Sequence, residues 1–388
     1  MPLLISYSIK NAFARKLTST LTIFGIALVV FVFCAVLMLS NGLQQTLVDT
    51  GSDNNAVVVR KSANTEIVSI LPRDMADIVK SDPGIARTED GTPKFAGEIL
   101  VLINLIKRSN NEPSNVPVRG VSDISIAIRP NVKVVEGRMW QPGTSEIIAG
   151  AKVSKNFKGC GIGEKVRFGQ REWTVVGIFE AGGSGFESEL WGDDDQLMSA
   201  FERPVFSSFT LQLAQGETID ELKKRLEADR RLTVDVMSEV DYYKKQSKSF
   251  TDFINILGMV ISIVFSLGAI VGAMITMYAS VANRTVEIGT LRALGFSQGS
   301  VLFAFLIESL SIATIGGLIG IALASFLQWM EVSTTNFDTF AEIAFPFEMS
   351  AQIAVNALIF SVVMGIVGGF LPAVSASRLR IINALRAK

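Results

Sequence analysis

The chain has 388 residues, 49% of them apolar, with 36 Lys plus Arg against 37 Asp plus Glu, two cysteines and no histidine. Without imidazole there is no Ser-His or Cys-His catalytic pair, no His-ligated zinc and no imidazole-held haem, and the balanced charge argues against nucleic acid as a partner. Two cysteines, Cys34 and Cys160, cannot build the disulfide framework of a small secreted domain.

Charge is sharply segregated along the chain. Leu3 to Leu17 places Ile5, Ile9, Phe13 and Leu17 four residues apart, with Lys10, Arg15 and Lys16 elsewhere, so residues 1–18 are expected to form an interfacial amphipathic helix. Charges are then absent from Leu17 to Val48, from Phe253 to Asn283, from Ala293 to Ile307, from Ser309 to Met330 and from Met349 to Ser377. About 20 apolar residues cross the hydrocarbon core, which predicts four spans: 19–43, 249–281 (with an outer stalk), 300–330 and 351–377. The first run is too long for the apolar core of a cleavable signal.

Lys10, Arg15, Lys16, Arg284, Arg292, Arg378, Arg380, Arg386 and Lys388 flank one side of these spans, whereas the loop 331–350 has four acids and no base. The positive-inside rule makes both termini, the loop 282–299 and the tail 378–388 cytoplasmic, and places 44–248 and 331–350 outside.

The outer segment 44–248 is long enough to fold independently. Residues 56–60 read as a strand and Pro72 to Lys80 as a helix turning Met75, Ile78 and Val79 inward. Ser208 to Ala214 alternates like a strand. Thr218 and Glu221 then form a capping box opening a helix that buries Ile219, Leu222 and Leu226, before a strand at Leu232 to Met237. Two such units flanking a middle region predict a split βαβ subdomain with a β-rich subdomain inserted at roughly 115–200. Within the insert, Lys165 to Phe168 and Glu172 to Phe179 form a hairpin around Gly169 and Gln170. Gly182-Gly183-Ser184-Gly185 lacks a following Gly-Lys-Ser/Thr and reads as a flexible loop rather than a phosphate cradle. Cys160, between two glycines, reads as an unpaired small residue.

Residues 238–283 lack proline and predict one helix of about 65 to 70 Å, far longer than the membrane core is thick. The loop after it, Arg284-Thr-Val-Glu-Ile-Gly-Thr-Leu-Arg-Ala-Leu-Gly295, reads as a short amphipathic helix. Val286, Leu291 and Leu294 would supply apolar contacts, while Arg284, Glu287 and Arg292 would face water, anionic head groups or a partner.

That same stretch resembles the cytoplasmic loop signature of MacB/FtsX-type ABC transporter permeases. Similar to the family, too, are Asn11 to Lys16 leading into Leu21-Thr22-Ile23-Phe24-Gly25-Ile26, Pro372-Ala373 with Ala376, and Asn383-Ala384-Leu385-Arg386. Outside the membrane the likeness lies in Glu136-Gly137-Arg138, Glu146 to Gly150 and Trp173 to Phe179. Ile381 and Ile382 stand where the family commonly has a proline. The resemblance implies a type VII, mechanotransmission half-transporter in the bacterial inner membrane. It has four transmembrane helices and a mixed α/β, MacB-like periplasmic domain, and it pairs with a second permease copy, expected to be identical. It implies an ABC ATPase subunit docked through Arg284, Glu287, Ile288, Gly289, Arg292 and Gly295, a periplasmic adaptor, an outer-membrane duct and contact with membrane lipids. The cargo would be hydrophobic, peptide or lipid-type. No Gly-x-x-x-x-Gly-Lys-Ser/Thr loop occurs, so ATP and Mg belong to the partner ATPase, and no cofactor, metal or catalytic residue is expected in this chain.

Glu308 stands inside the third span and is a candidate for an intramembrane role, a proton relay or substrate contact, against a structural one. Gly316, Gly317, Gly320, Gly365, Gly368 and Gly369 are expected to let the third and fourth spans pack closely. Two other readings stay open: an FtsX-like regulator of a cell-wall hydrolase, and a LolC-like lipoprotein-releasing permease.

Overall fold

The structure is a computed structural model, and it describes residues 16–336 and 338–381. The amphipathic helix expected within 1–18 and the Asn383 to Arg386 motif fall outside these residues, apart from the first turn of α1. The chain divides into two compact units, one comprising Met1–Asn41, Phe253–Met330 and Pro346–Lys388, the other Gly42–Asp252 and Glu331–Phe345.

Helix α1 spans Lys16–Val48. The mixed α/β unit then follows, in chain order, as β1 (Asn55–Arg60), α2 (Arg73–Lys80), β2 (Phe95–Ile106), β3 (Pro113–Val121), α3 (Asp123–Ala127), β4 (Lys133–Gly137), β5 (Glu146–Gly150), α4 (Ala151–Asn156), β6 (Lys165–Phe168), β7 (Arg171–Glu180), β8 (Leu190–Asp193), α5 (Asp194–Ala200), β9 (Ser208–Gln212), α6 (Ile219–Ala228) and β10 (Val234–Ser238). The strands connect in the order β10-β1-β9-β2-β3-β8-β5-β7-β4, with β6 beside β7.

The long strand β2 divides this sheet into two lobes. Its first four residues, Phe95 to Glu98, pair with β9, and Ile99 to Ile106 pair with β3. The first lobe is antiparallel, β10-β1-β9-β2, with a core in which Val58, Phe209, Leu211, Leu222, Leu226 and Val236 meet. The second lobe mixes parallel β3–β8 and β5–β7 pairs with antiparallel β5–β8, β4–β7 and β6–β7 pairs, around Trp173, Val175, Leu190, Ile147 and Phe157. The second lobe begins within β2, after Glu98.

Several local signals act as read. Thr218 caps α6 in a reciprocal box with Glu221. Phe168 pairs with Arg171 across Gly169 and Gln170, both at positive φ (54° and 59°), as a two-residue hairpin turn requires. The strand read at Ser208 to Ala214 forms as β9 and is paired on both edges, with Ser208 to Leu211 buried. The Gly182 to Gly185 loop is anchored rather than loose: Glu187 Oε1 accepts from the Ala181 and Gly183 amides at 2.9 and 2.7 Å, and Lys152 Nζ donates to the Gly183 carbonyl at 2.7 Å. Cys34 and Cys160 are both free and buried.

Helix α7 runs unbroken over Glu239–Asn283, 45 residues or about 67 Å at 1.5 Å per residue. It is followed by α8 (Thr285–Ala293), α9 (Gln298–Ser325), a hairpin of β11 (Glu331–Thr335) and β12 (Glu342–Pro346), and α10 (Ala351–Ser377). Helices α1, α7, α9 (with the 3₁₀ turn after it) and α10 contain four segments long and apolar enough to cross a membrane. The segment 331–345 is not a plain loop. It belongs to the α/β unit, where Asn115 Nδ2 donates to the Phe340 carbonyl at 2.9 Å and Lys107 pairs with Glu342 at 2.7 Å.

The six glycines do not share one interface. An added Cβ at Gly317 would strike Ser361 of α10, and at Gly365 it would meet Ala313 Cβ of α9 at 2.5 Å, as expected. An added Cβ at Gly316 or Gly320 would instead meet α1, at 3.0 Å from the Ile23 carbonyl oxygen and 2.6 Å from that of Ala27, and one at Gly368 would come 3.2 Å from Ala273 Cβ of α7. Spacing marks a residue as small but does not reveal which neighbour needs it small.

Candidate functional site

Helix α8 lies between two long helices, and local chemistry fixes both its ends. Gly295, at φ +96°, reverses the chain after it. The Phe296 amide then donates to the Leu291 carbonyl and the Gly295 amide to that of Arg292, both at 3.2 Å, a Schellman closure. Its buried residues are Ile288 and Gly289, and Ile288 joins Met277, Val281, Val301, Phe305, Ala373 and Ala376 in one apolar cluster. Val286 and Leu294 are 47% and 73% exposed. The inward contact is therefore Ile288, not the Val286 and Leu294 expected from spacing.

The two arginines also turn inward rather than outward. Arg284 Nη1 pairs with Glu308 Oε2 at 3.0 Å and its Nε with Glu287 Oε2 at 3.1 Å, while its guanidinium lies 5.3 Å from the Phe305 ring centroid. Arg292 Nη1 donates to the carbonyl of Ser377 at 2.9 Å, the last residue of α10, satisfying an acceptor that a helix end leaves without an internal partner. Glu308 is buried, and its charge is met by Arg284. It lines a small pocket of mixed character, with Ser19, Thr22, Thr276, Ser280 and Ser309 beside the apolar Ile26, Ala273, Met277 and Ile312. Of the residues singled out in the loop, Glu287 keeps an exposed side chain, and with Val286, Thr290, Ala293 and Leu294 it forms the outward face of α8.

In the α/β unit the structure assembles a charge cluster that no local pattern in the chain announces. Arg119 on β3, 1% exposed, uses all five guanidinium donors. Nε and Nη2 bind Glu189 at 2.7 and 2.9 Å, Nη1 and Nη2 bind Glu66 at 2.9 and 3.2 Å, and Nη1 also binds Glu98 at 2.9 Å. Arg129, just after α3, donates to the other side of Glu98 and to Glu239 Oε1, the latter from Nε and Nη2 at 3.2 and 3.1 Å. Four carboxylates thus surround two guanidinium groups, all buried. Burial alone raises the Glu98 carboxyl, but the fields of Arg129 and Arg119 outweigh it and hold the group below its ordinary value. Both arginines lose some basicity to burial, yet are held above their ordinary values, Arg119 chiefly by Glu189 and Glu66 and Arg129 by Glu98 and Glu239. Among the described residues no group of His, Cys, Asp or Glu side chains has the arrangement of a metal site.

Four helices long and apolar enough to cross a membrane, a short helix packed on three of them and a large α/β unit fit a multispan membrane protein with a domain outside the bilayer. Residues 19–229 match the MacB-like periplasmic core domain, and residues 259–384 match the FtsX-like permease C-terminal family. The chain belongs to the MacB/FtsX-type ABC transporter permeases. It is similar to the uncharacterised ABC transporter permease YknZ of Bacillus subtilis, at 26% identity over 98% of both chains. It is also similar to the macrolide export ATP-binding/permease protein MacB of Neisseria meningitidis, at 25% identity over 97% of this chain; it spans 60% of the MacB length. Among solved structures, the extracellular domain of YknZ is 15% identical over 48% of this chain and all of that one, with a TM-score of 0.36. The periplasmic region of MacB from Actinobacillus actinomycetemcomitans is 12% identical over 53% of this chain and 94% of that one, with a TM-score of 0.37.

Proposed function

We propose that this chain is the membrane subunit of an ABC exporter in the inner membrane, both termini cytoplasmic, working as a pair of identical copies with a separate ATPase. ATP and Mg are assigned to that partner; these 388 residues themselves contain no phosphate-binding Gly-x-x-x-x-Gly-Lys-Ser/Thr loop. The observation that carries the reading is the geometry of α8. Ile288, Arg284 and Arg292 hold the helix to the spans, which leaves Val286, Glu287, Thr290 and Leu294 as a firm outward ledge for the ATPase to push. Gly289 and Gly295 set its seating and its end. Movement of α8 passes to α7, to which it is joined through Arg284, and α7 carries it outward as a rod.

Cargo of hydrophobic, peptide or lipid type is then handled outside the membrane and passed to a periplasmic adaptor and outer-membrane duct. Glu308 serves here as the internal partner of Arg284 rather than as a proton relay. The test is Glu287→Arg in the full chain with its ATPase. The internal Arg284–Glu308 pair survives this change, so folding is retained, while ATPase association, stimulated ATP turnover and export are lost; unchanged export would refute the assignment. Mass spectrometry of co-purifying proteins separates the roles. An ATPase with an adaptor supports export, an ATPase with a cell-wall hydrolase moves the reading to regulation, and a soluble lipoprotein carrier moves it to lipoprotein release.

A further inference from the structure

The buried charge cluster lies where three parts of the α/β unit meet. Glu239 is the first residue of α7, and its carboxylate is wholly buried. Its Oε2 accepts from the Ser52 amide at 3.1 Å and from Asn55 Nδ2 at 2.9 Å, residues of the turn and strand that follow α1. There the backbones touch so closely that a Cβ on Gly51 would come within 2.5 Å of the Val240 nitrogen. Its Oε1 is held by Arg129. Arg129 in turn binds Glu98 on β2, where that strand changes partner, and Thr210 Oγ1 on β9 at 3.2 Å. Its guanidinium also lies 4.9 Å from the Phe186 ring and 6.0 Å from that of Trp191 in the second lobe. Glu98 hands the connection to Arg119 on β3, which reaches Glu189 beside β8.

We infer that Arg129 is the positioning residue of a joint, Glu239–Arg129–Glu98–Arg119, that fixes the first turn of α7 to both lobes so that they follow the helix as one body. Apolar contacts alone permit one surface to slide over another, whereas the forked guanidinium specifies distance and direction to each carboxylate. Because every member is sealed from water, exchanging a partner would expose a bare buried charge, so the joint resists slippage when the helix is pushed. The inference deepens the reading of α7 as the rod that carries movement outward, and rests on it.

The experiment uses the full chain with its ATPase in nanodiscs and measures distances between spin labels by pulsed EPR. One pair, Lys245 and Ile162, reports α7 against the second lobe; a second, Ile162 and Val135, reports within that lobe; a third, Ile162 in each copy, reports movement on adding Mg–ATP. The variants are Glu239→Gln and Arg129→Lys. The expected result is a single narrow Lys245–Ile162 distance in the parent chain, lost in both variants, with Ile162–Val135 unchanged. The inference is overturned if the variants keep the narrow Lys245–Ile162 distance, and equally if Ile162–Val135 broadens with it, since the cluster would then merely hold the fold. Failure of the coupling reading is a separate result, the absence of any Mg–ATP effect on the copy-to-copy distance in the parent chain.

Discussion

Arg119→Met tests whether the buried cluster holds the α/β unit together. The side chain is 1% exposed and makes five hydrogen bonds to Glu66, Glu98 and Glu189. Methionine fills much of the same volume but leaves these carboxylates without that partner in a site closed to water. Breaking a buried pair in this way costs about 3–5 kcal/mol, and three carboxylates around one cation place the change near the upper end. Arg119→Lys keeps the charge but brings three donors where five are used. Losing two charge-assisted bonds at about 1.5 kcal/mol each gives a loss of about 3 kcal/mol. Denaturant unfolding of the solubilised chain, followed through tryptophan emission, reads both, because Trp191 Nε1 donates to Glu189 Oε2 at 2.7 Å and lies inside the affected region. The reasoning fails if Arg119→Met unfolds within about 1 kcal/mol of the parent or if lysine proves the more damaging change.

Acid should weaken the same unit. Glu98 is held below its ordinary value of 4.5 in the folded state, so its contribution is fully present above that value and is lost as the pH falls through the lower, folded one; denaturant midpoints measured from pH 7 downward should drop below about 4.5, and Glu98→Gln should flatten that part of the curve. In the membrane unit, Gly365→Val should cost about 1–3 kcal/mol, because the new side chain begins 2.5 Å from Ala313 Cβ, whereas Gly272→Ala, with nothing within 4 Å, should be close to neutral. Thermal melts in nanodiscs compare the two, and equal losses would contradict the helix packing described. The Glu287→Arg change completes the set: it should abolish ATPase stimulation without lowering the melting temperature.

What could be read without coordinates was local or periodic. The spans follow from charge-free runs, because an ionised side chain in hydrocarbon is costly at any position. The unbroken α7 follows from a long stretch without proline, the start of α6 from Thr218 and Glu221, and the β6–β7 turn from Gly169 and Gln170. The first two signals are periodic or compositional over whole helices, and the last two are complete within one or two turns of chain. The α8 stretch was legible as a helix that ends at Gly295, but its rotation about its axis was not. Val286, Ile288, Leu291 and Leu294 offer more than one apolar face, and Ile288 turns inward because the cluster of Met277, Val301, Phe305 and Ala376 awaits it there.

The tertiary structure alone decided the partners. Glu66, Glu98, Arg119, Arg129, Glu189 and Glu239 sit in a loop, three strand regions and two helix ends, and taken singly each reads as an ordinary surface charge. Only pairing across the fold makes their burial tolerable, and pairing between residues far apart in sequence leaves no local pattern. The same holds for Arg284, which local spacing aims at water and which Glu308, 24 positions away, draws into the spans. Sequence fixes where charge is forbidden; the fold decides which charges can be hidden, because only the fold brings their neutralising neighbours within hydrogen-bond reach.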